Sequence, residues 1–361
     1  MSRAPVLFRV NATVTLGRES FYRCLTYAAA LQRRRRAATF VSHLEPATYL
    51  AAAIRRGGNE VVLANHPAGS PEDLEQTLRE VDRVRPEAIV VDLPEASEAY
   101  LRELRGSGCT VISMDSLAAT AFPSHMVINP LMGLSRNDYE LSSGTQLLCG
   151  PRYALVRPEV RRIRPIRAAE PPQPFRIIVA LGDDDFQGQA VSLAKQLLNC
   201  PKVSRVDVLV RPYHAALDAL KALADKNKDA LGVATEPSEF PVRMSRSHLA
   251  ITAGNAWSLE LACVGIPQLM IVQAEKDLRN AQNLDESGAA KLLGTYQSVS
   301  TTALRTAVTG VLDDQLERVL MARAGRKLID ARGADRLVTA LELLLQSRRL
   351  HRSERSERLA A

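Results

Sequence analysis

Four small residues, Ala253, Gly254, Asn255 and Ala256, separate an apolar run at 249–252 from a stretch with helical spacing. Residues this small let backbone amides approach a ligand closely. The apolar run reads as a buried strand. The stretch after the turn carries Leu259, Leu261, Ala262 and Cys263 as packing residues before Gly265 and Pro267 stop it. A second apolar run, 268–272, reads as the next parallel strand. The turn thus sits at the positive end of a helix dipole, where a phosphate can be held without a metal. Glu260, about a turn and a half into that helix, can reach back to accept hydrogen bonds from a ribose. The same pattern also fits an ordinary strand-helix-strand unit whose glycine only serves the turn.

A second turn, Gly182-Asp183-Asp184-Asp185, follows the apolar run 175–181. Three carboxylates there would repel a bare diphosphate and make a conceivable Mg²⁺ site. The alternative is a capped, solvent-facing loop ahead of the helical pattern at 189–198. No further ligand can be identified by spacing, so no metal is assigned. The histidines His43, His66, His125, His214, His248 and His351 are isolated, without metal-type spacing. His248, just before the glycine-turn strand, reads as a capped strand-end residue. The five cysteines are scattered and odd in number, which fits a reduced, cytoplasmic protein.

These turns need a scaffold, and the flanking pattern supplies one. Apolar strand runs alternate with helical periods from residue 5 to 114, five strand-helix repeats in all, with one more short strand expected at 126–129. Residues 157–174 hold five prolines and no periodicity, and read as an extended interdomain linker. The alternation then restarts at 175 and closes with helical patterns at 301–312, 315–328 and 336–346. The expected fold is α/β, two doubly wound parallel-sheet domains facing a cleft: 1–156, then the linker 157–174, then 175–347. Residues 348–361 read as a basic, disordered tail.

A chain of 361 residues is long enough for two such cores. No run of about 18 apolar residues occurs, which argues against a membrane span. The net charge of +7 raises nucleic acid as a partner. The tail alone carries five arginines against two glutamates, however, and 4% aromatic residues leave few platforms for bases, so nucleic acid is excluded. Arg33–Arg36 reads as a solvated helix end. A basic surface meeting anionic lipid is the remaining membrane reading.

As an ensemble, these residues resemble a known family. Ala253, Gly254, Glu260, Gly265 and Pro267, then Ala274-Glu275, Ala281, Gly288, Leu293 and Gly294, match the nucleotide-binding end of GT-B glycosyltransferase-type proteins. More closely, the chain is similar to the UDP-sugar hydrolase of pseudaminic acid biosynthesis and its spore-coat polysaccharide relatives. Asp115, Asn129, the segments 150–155 and 157–159, and Met321, Asp330-Ala331-Arg332-Gly333-Ala334 and Arg336 extend the resemblance over about residues 6–338. It implies a GT-B-like fold, UDP or a UDP-sugar as ligand with no other cofactor, and contacts from Gly17, Gly182, Asp183, Asn255, Ala256 and Glu275. The family has glycine, serine and threonine after the first glycine and a tryptophan before the glutamate. Here Asn255, Ala256, Trp257 and Leu259 stand there instead.

The larger departure is in the first domain. The family's first strand ends in arginine-x-aspartate, and a glycine-x-glycine-histidine turn follows, whose histidine is the proposed base. This chain has Arg9-Val10-Asn11, then Gly17-Arg18-Glu19-Ser20, then the matching Arg23-Cys24-Leu25. A serine cannot act as a base near neutral pH, whereas histidine titrates there. Glu19 is the only carboxylate on the altered loop. The candidate catalytic residues are therefore Glu19, Ser20 and Asn11. Two functions follow: glycosyl transfer or hydrolysis on a UDP-sugar, or a nucleotide-sugar-binding paralogue that has lost catalysis.

Overall fold

The computed structural model describes the chain apart from residues 1, 2, 16, 183, 184, 186, 187 and 361, and describes 352–360 by backbone alone. The chain forms two compact units.

The first unit runs β1 (Arg3–Val10), α1 (Glu19–Gln32), β2 (Arg36–Ser42), α2 (Ala47–Arg56), β3 (Glu60–Leu63), α3 (Pro71–Val84), β4 (Ala88–Asp92), α4 (Glu98–Gly106), β5 (Thr110–Met114), β6 (Met126–Asn129) and β7 (Gln146–Cys149). The seven strands are parallel in the order β3-β2-β1-β4-β5-β6-β7. β4, β5 and β6 are buried throughout and β1 from Val6 onward, as expected of strands covered on both faces.

The second unit runs α5 (Pro158–Ile163), β8 (Arg176–Ala180), α6 (Gln189–Leu198), β9 (Arg205–Leu209), α7 (Leu217–Lys226), β10 (Leu231–Ala234), α8 (Phe240–Arg246), β11 (Leu249–Thr252), α9 (Ala256–Val264), β12 (Gln268–Val272), α10 (Leu278–Glu286), β13 (Lys291–Thr295), α11 (Thr301–Asp313) and α12 (Gln315–Leu328). Its six strands are parallel in the order β10-β9-β8-β11-β12-β13. Helix α9 is buried on every side from Trp257 to Val264, which explains its lack of a polar face.

Three expectations need correction. Residues 157–174 are not an extended linker, because Val160 and Ile163 of α5 join the core of the second unit. Buried Arg167 ties that segment down by donating to the carbonyls of Gly265 and Ser247, each at 2.7 Å. The last helix, α13 (Gly333–Ala360), belongs to the first unit from Arg332 onward, not to the second domain. Tyr27 Oη donates to Leu337 O, and buried Arg36 pairs with Glu342. The same helix continues to Ala360, where a disordered tail was expected. In addition, β7 and β13 are edge strands with half-exposed faces, which the apolar pattern did not reveal.

Candidate functional site

Strand order in the second sheet reverses between β8 and β11, and ligands of open α/β sheets bind beyond the carboxyl ends of strands at such a point. The turns after these two strands meet through Asn255. Its Nδ2 donates to Leu181 O at 2.8 Å, and its Oδ1 caps α9 by accepting from Trp257 N at 3.1 Å. Both turns need glycine. Gly182 has φ +92° and Gly254 φ +79°, in the left-handed region. A Cβ on Gly182 would lie 2.5 Å from Asn255 Nδ2, and one on Gly254 would lie 2.5 Å from Ala281 Cβ.

Buried Ala253 continues β11 into this turn. Gly254 N donates to Ser258 Oγ at 3.0 Å, and its carbonyl accepts from Asn280 Nδ2 at 2.5 Å. The Gly254 amide is therefore spent on the turn itself. Among the described residues, no acceptor is in reach of the N–H groups of Asn255 and Ala256 at the start of α9.

Sequence reasoning did not foresee the charge around Trp257. The Arg157 guanidinium carbon lies 4.5 Å from the Trp257 ring centre and that of Arg211 lies 5.2 Å from it. Both also lie within 6 Å of the Phe240 ring, at 5.7 and 5.8 Å. Glu260 is fully engaged by Arg157. Its Oε1 accepts from Arg157 N at 2.8 Å and Nε at 2.9 Å, while Oε2 accepts from Nε at 2.8 Å and from Nη2. A carboxylate offers about four lone-pair sites, so Glu260 has none left for a ribose while Arg157 stays in place. Arg157 Nη1, by contrast, is buried without a hydrogen-bond partner. Glu275 is exposed at the carboxyl end of β12, with no side-chain bond among the described residues.

Of the three carboxylates of the acidic turn, one is among the described residues. Asp183 and Asp184 lie outside the described residues. Asp185 is buried and turned toward α6, accepting from Gln189 N at 2.6 Å and Ala190 N at 2.9 Å. Its Oδ2 is 3.3 Å from His214 Nε2, off the N–H direction. His214 Nδ1 accepts from Ala216 N at 3.2 Å, which in the neutral ring leaves the proton on Nε2. No group of three metal-ligating side chains converges among the described residues.

The first unit has its own switch point, between β1 and β4. Asn11 is buried there, its Oδ1 accepting from Arg9 Nη1 at 2.6 Å and His43 N at 2.9 Å. Gly17, at φ +77°, closes a tight turn by bridging to Thr13. Glu19 and Ser20 begin α1, both half-buried. Asp92, at the end of β4, takes both Arg23 Nε and Nη2 at 2.5 Å and the Cys24 thiol at 3.4 Å. Burial, then the Asp92 charge, push the Cys24 pKa well up, so the thiol is neutral and no nucleophile. His43 is the nearest histidine, but its Nδ1 lies 3.4 Å from Ala64 O and its Nε2 3.4 Å from Glu45 Oε1. Both ring nitrogens face acceptors, and a neutral imidazole can donate to only one of them at a time.

No family model matches the chain. The spore coat polysaccharide biosynthesis protein SpsG of Bacillus subtilis is 22% identical over 273 residues, 74% of this chain and 80% of that protein. A UDP-N-acetylglucosamine–N-acetylmuramyl-(pentapeptide) pyrophosphoryl-undecaprenol N-acetylglucosamine transferase of Limosilactobacillus reuteri is 31% identical over 132 residues. That match spans 34% of this chain and 35% of the transferase. Among solved structures, MurG of Acinetobacter baumannii matches with a TM-score of 0.64 at 14% identity, over 94% of this chain and 99% of that one. The spinosyn rhamnosyltransferase SpnG in complex with thymidine diphosphate matches with a TM-score of 0.66 at 20% identity, over 94% and 100%. No helix among the described residues is long and apolar enough to cross a membrane. The chain is homologous to SpsG, and its two doubly wound parallel-sheet domains have the GT-B glycosyltransferase-like fold.

Proposed function

We propose that this protein binds a nucleoside diphosphate sugar at the carboxyl edge of its second sheet and acts as a glycosyltransferase-like protein of polysaccharide biosynthesis. The observation that carries the reading is the double glycine turn. Gly182 and Gly254 are locked together by Asn255, and the N–H groups of Asn255 and Ala256 are left at the start of the nine-residue helix α9. The diphosphate takes these amides, with Arg157 Nη1 as a further donor, so fixed positive charge and helix dipole neutralise it without a metal. Glu260 serves by holding Arg157. The ribose hydroxyls fall to Glu275, the exposed carboxylate at the same edge of the sheet. The matches to a sugar-polymer protein and to nucleotide-sugar transferases support this assignment.

A second reading, binding without catalysis, is favoured by one observation. At the first unit's switch point Asn11 is tied to Arg9 and His43, Cys24 is neutral, and a serine, Ser20, stands where the resembled family has its histidine. Calorimetric titration with UDP and TDP tests the pocket, with saturable binding expected for at least one. Release of free nucleotide from its sugar ester, with and without acceptor alcohols, separates transfer from hydrolysis and from binding alone. Absence of binding by either nucleotide would refute the pocket.

A further inference from the structure

The strands of the second sheet also have amino ends, and a different site is built there. Arg176 opens β8 and Arg205 opens β9, about 16 Å along five-residue strands from the glycine turns. With Asp207, Val242, Arg243 and Arg246 they line a cavity of about 570 Å³. That size suits a small organic ligand.

The cavity floor is a charge triad. Asp207 Oδ1 accepts from Arg205 Nε at 3.3 Å and from Arg243 Nη1. All three groups converge above Gly232 on neighbouring β10, where an added Cβ would lie 2.5 Å from Asp207 Oδ1 and 2.6 Å from each guanidinium. The missing side chain at Gly232 is what admits them. One buried carboxylate shared by two arginines leaves an excess of positive charge. Glu239 offsets part of it, its Oε1 3.6 Å from Arg243 and its Oε2 occupied by the N–H groups of Thr235 and Glu236.

Arg176 and Arg246 remain. Among the described residues their guanidinium groups meet no acceptor, although both line the cavity. Four arginines against two carboxylates leave the site at +2. Gathering like charges around a concave space is unfavourable unless an anion occupies it. Guanidinium groups match phosphate oxygens in geometry, and two unpaired ones match a dianion in charge. Val242, 55% exposed at the rim, offers an apolar contact for carbon bonded to that anion.

We propose that this cavity binds the phosphate monoester group of a small organic molecule or of a lipid headgroup, independently of the nucleotide turns. Glycerol 3-phosphate and inorganic phosphate are titrated calorimetrically into the full chain in moderate salt. Flotation with phosphatidylcholine vesicles, with and without phosphatidic acid, forms the second arm. Arg176→Ala and Arg246→Glu are compared with the unaltered protein, Arg246 being exposed and its replacement compatible with folding. Each variant should weaken glycerol 3-phosphate binding by about tenfold or more, with its unfolding transition unchanged. Binding of the soluble ester identifies a free metabolite as the source. Vesicle binding alone, lost in the same variants, identifies the headgroup. No saturable response in either arm, or responses equal in the unaltered protein and both variants, would overturn the proposal.

Discussion

Glu260 meets Arg157 through both carboxylate oxygens, although 103 positions separate them in the chain. Both side chains are over nine-tenths buried. Removing one partner of such a pair leaves the other charge stranded, at about 3–5 kcal/mol, whereas replacing both with apolar residues is often neutral. Glu260→Gln should therefore lower stability by about that amount in denaturant titration, and Glu260→Met with Arg157→Met should restore most of it. A Glu260→Gln protein as stable as the original would show that the pair is not what holds this region.

The glycine turn gives a second test. Gly254→Ala places a Cβ 2.5 Å from Ala281 Cβ at a backbone φ of +79°. The combined strain and overpacking should cost about 1–3 kcal/mol and abolish nucleotide binding. Adding Ala281→Gly relieves the contact but not the backbone strain, so it should recover stability in part. Full recovery would mean that φ at this position is unimportant.

His248 gives a pH dependence. Burial holds its pKa below the ordinary 6.5, with the ring fixed between Arg176 N at 3.1 Å and Pro171 O at 2.9 Å. The unfolded chain takes up a proton near 6.5, and the native state does so only at lower pH. Stability from this group is thus present above 6.5 and is lost as pH falls toward the native pKa. Urea midpoints at about pH 7.5 and 5.5 should drop further for the unaltered protein than for His248→Gln. Equal drops would remove His248 from the acid response.

What could be read from the sequence follows from what is local. The Gly254 turn was legible because its strand, small residues and helix are contiguous, and Asn255 proved to be the cap that such a position favours. Arg157 was hidden because five nearby prolines suggested a linker, while Val160 and Ile163, too few to show a period, carry its packing. The pairing of Glu260 was hidden for the same reason, since its partner lies in that segment. Helix α13 was recognised as helical, but periodicity does not say which sheet a helix covers, and Tyr27 and Arg36 decide that from the other end of the chain. Asp185 and His214 come together from the loops after β8 and β9, which the order of parallel strands could have suggested and residue spacing could not.

The last prediction concerns the first unit's chemistry. Water attacking an anomeric carbon must lose a proton, and a positioned base contributes about 10²–10⁴-fold. Ser20 cannot supply that, and Asn11 spends its oxygen on Arg9 and His43. The protein should therefore bind a nucleotide sugar yet show little or no release of free nucleotide to water. Asn11→Asp keeps the same acceptor beside the Arg9 guanidinium. Ser20→His places an imidazole in the first turn of α1, where the positive end of the helix dipole favours the neutral ring that a base must be. The double variant should gain measurable hydrolysis, with a rate that falls on the acid side as the new histidine is protonated. Brisk hydrolysis by the unaltered protein, or a gain with no acid limb, would show that the base lies elsewhere, with Glu19 the first residue to replace.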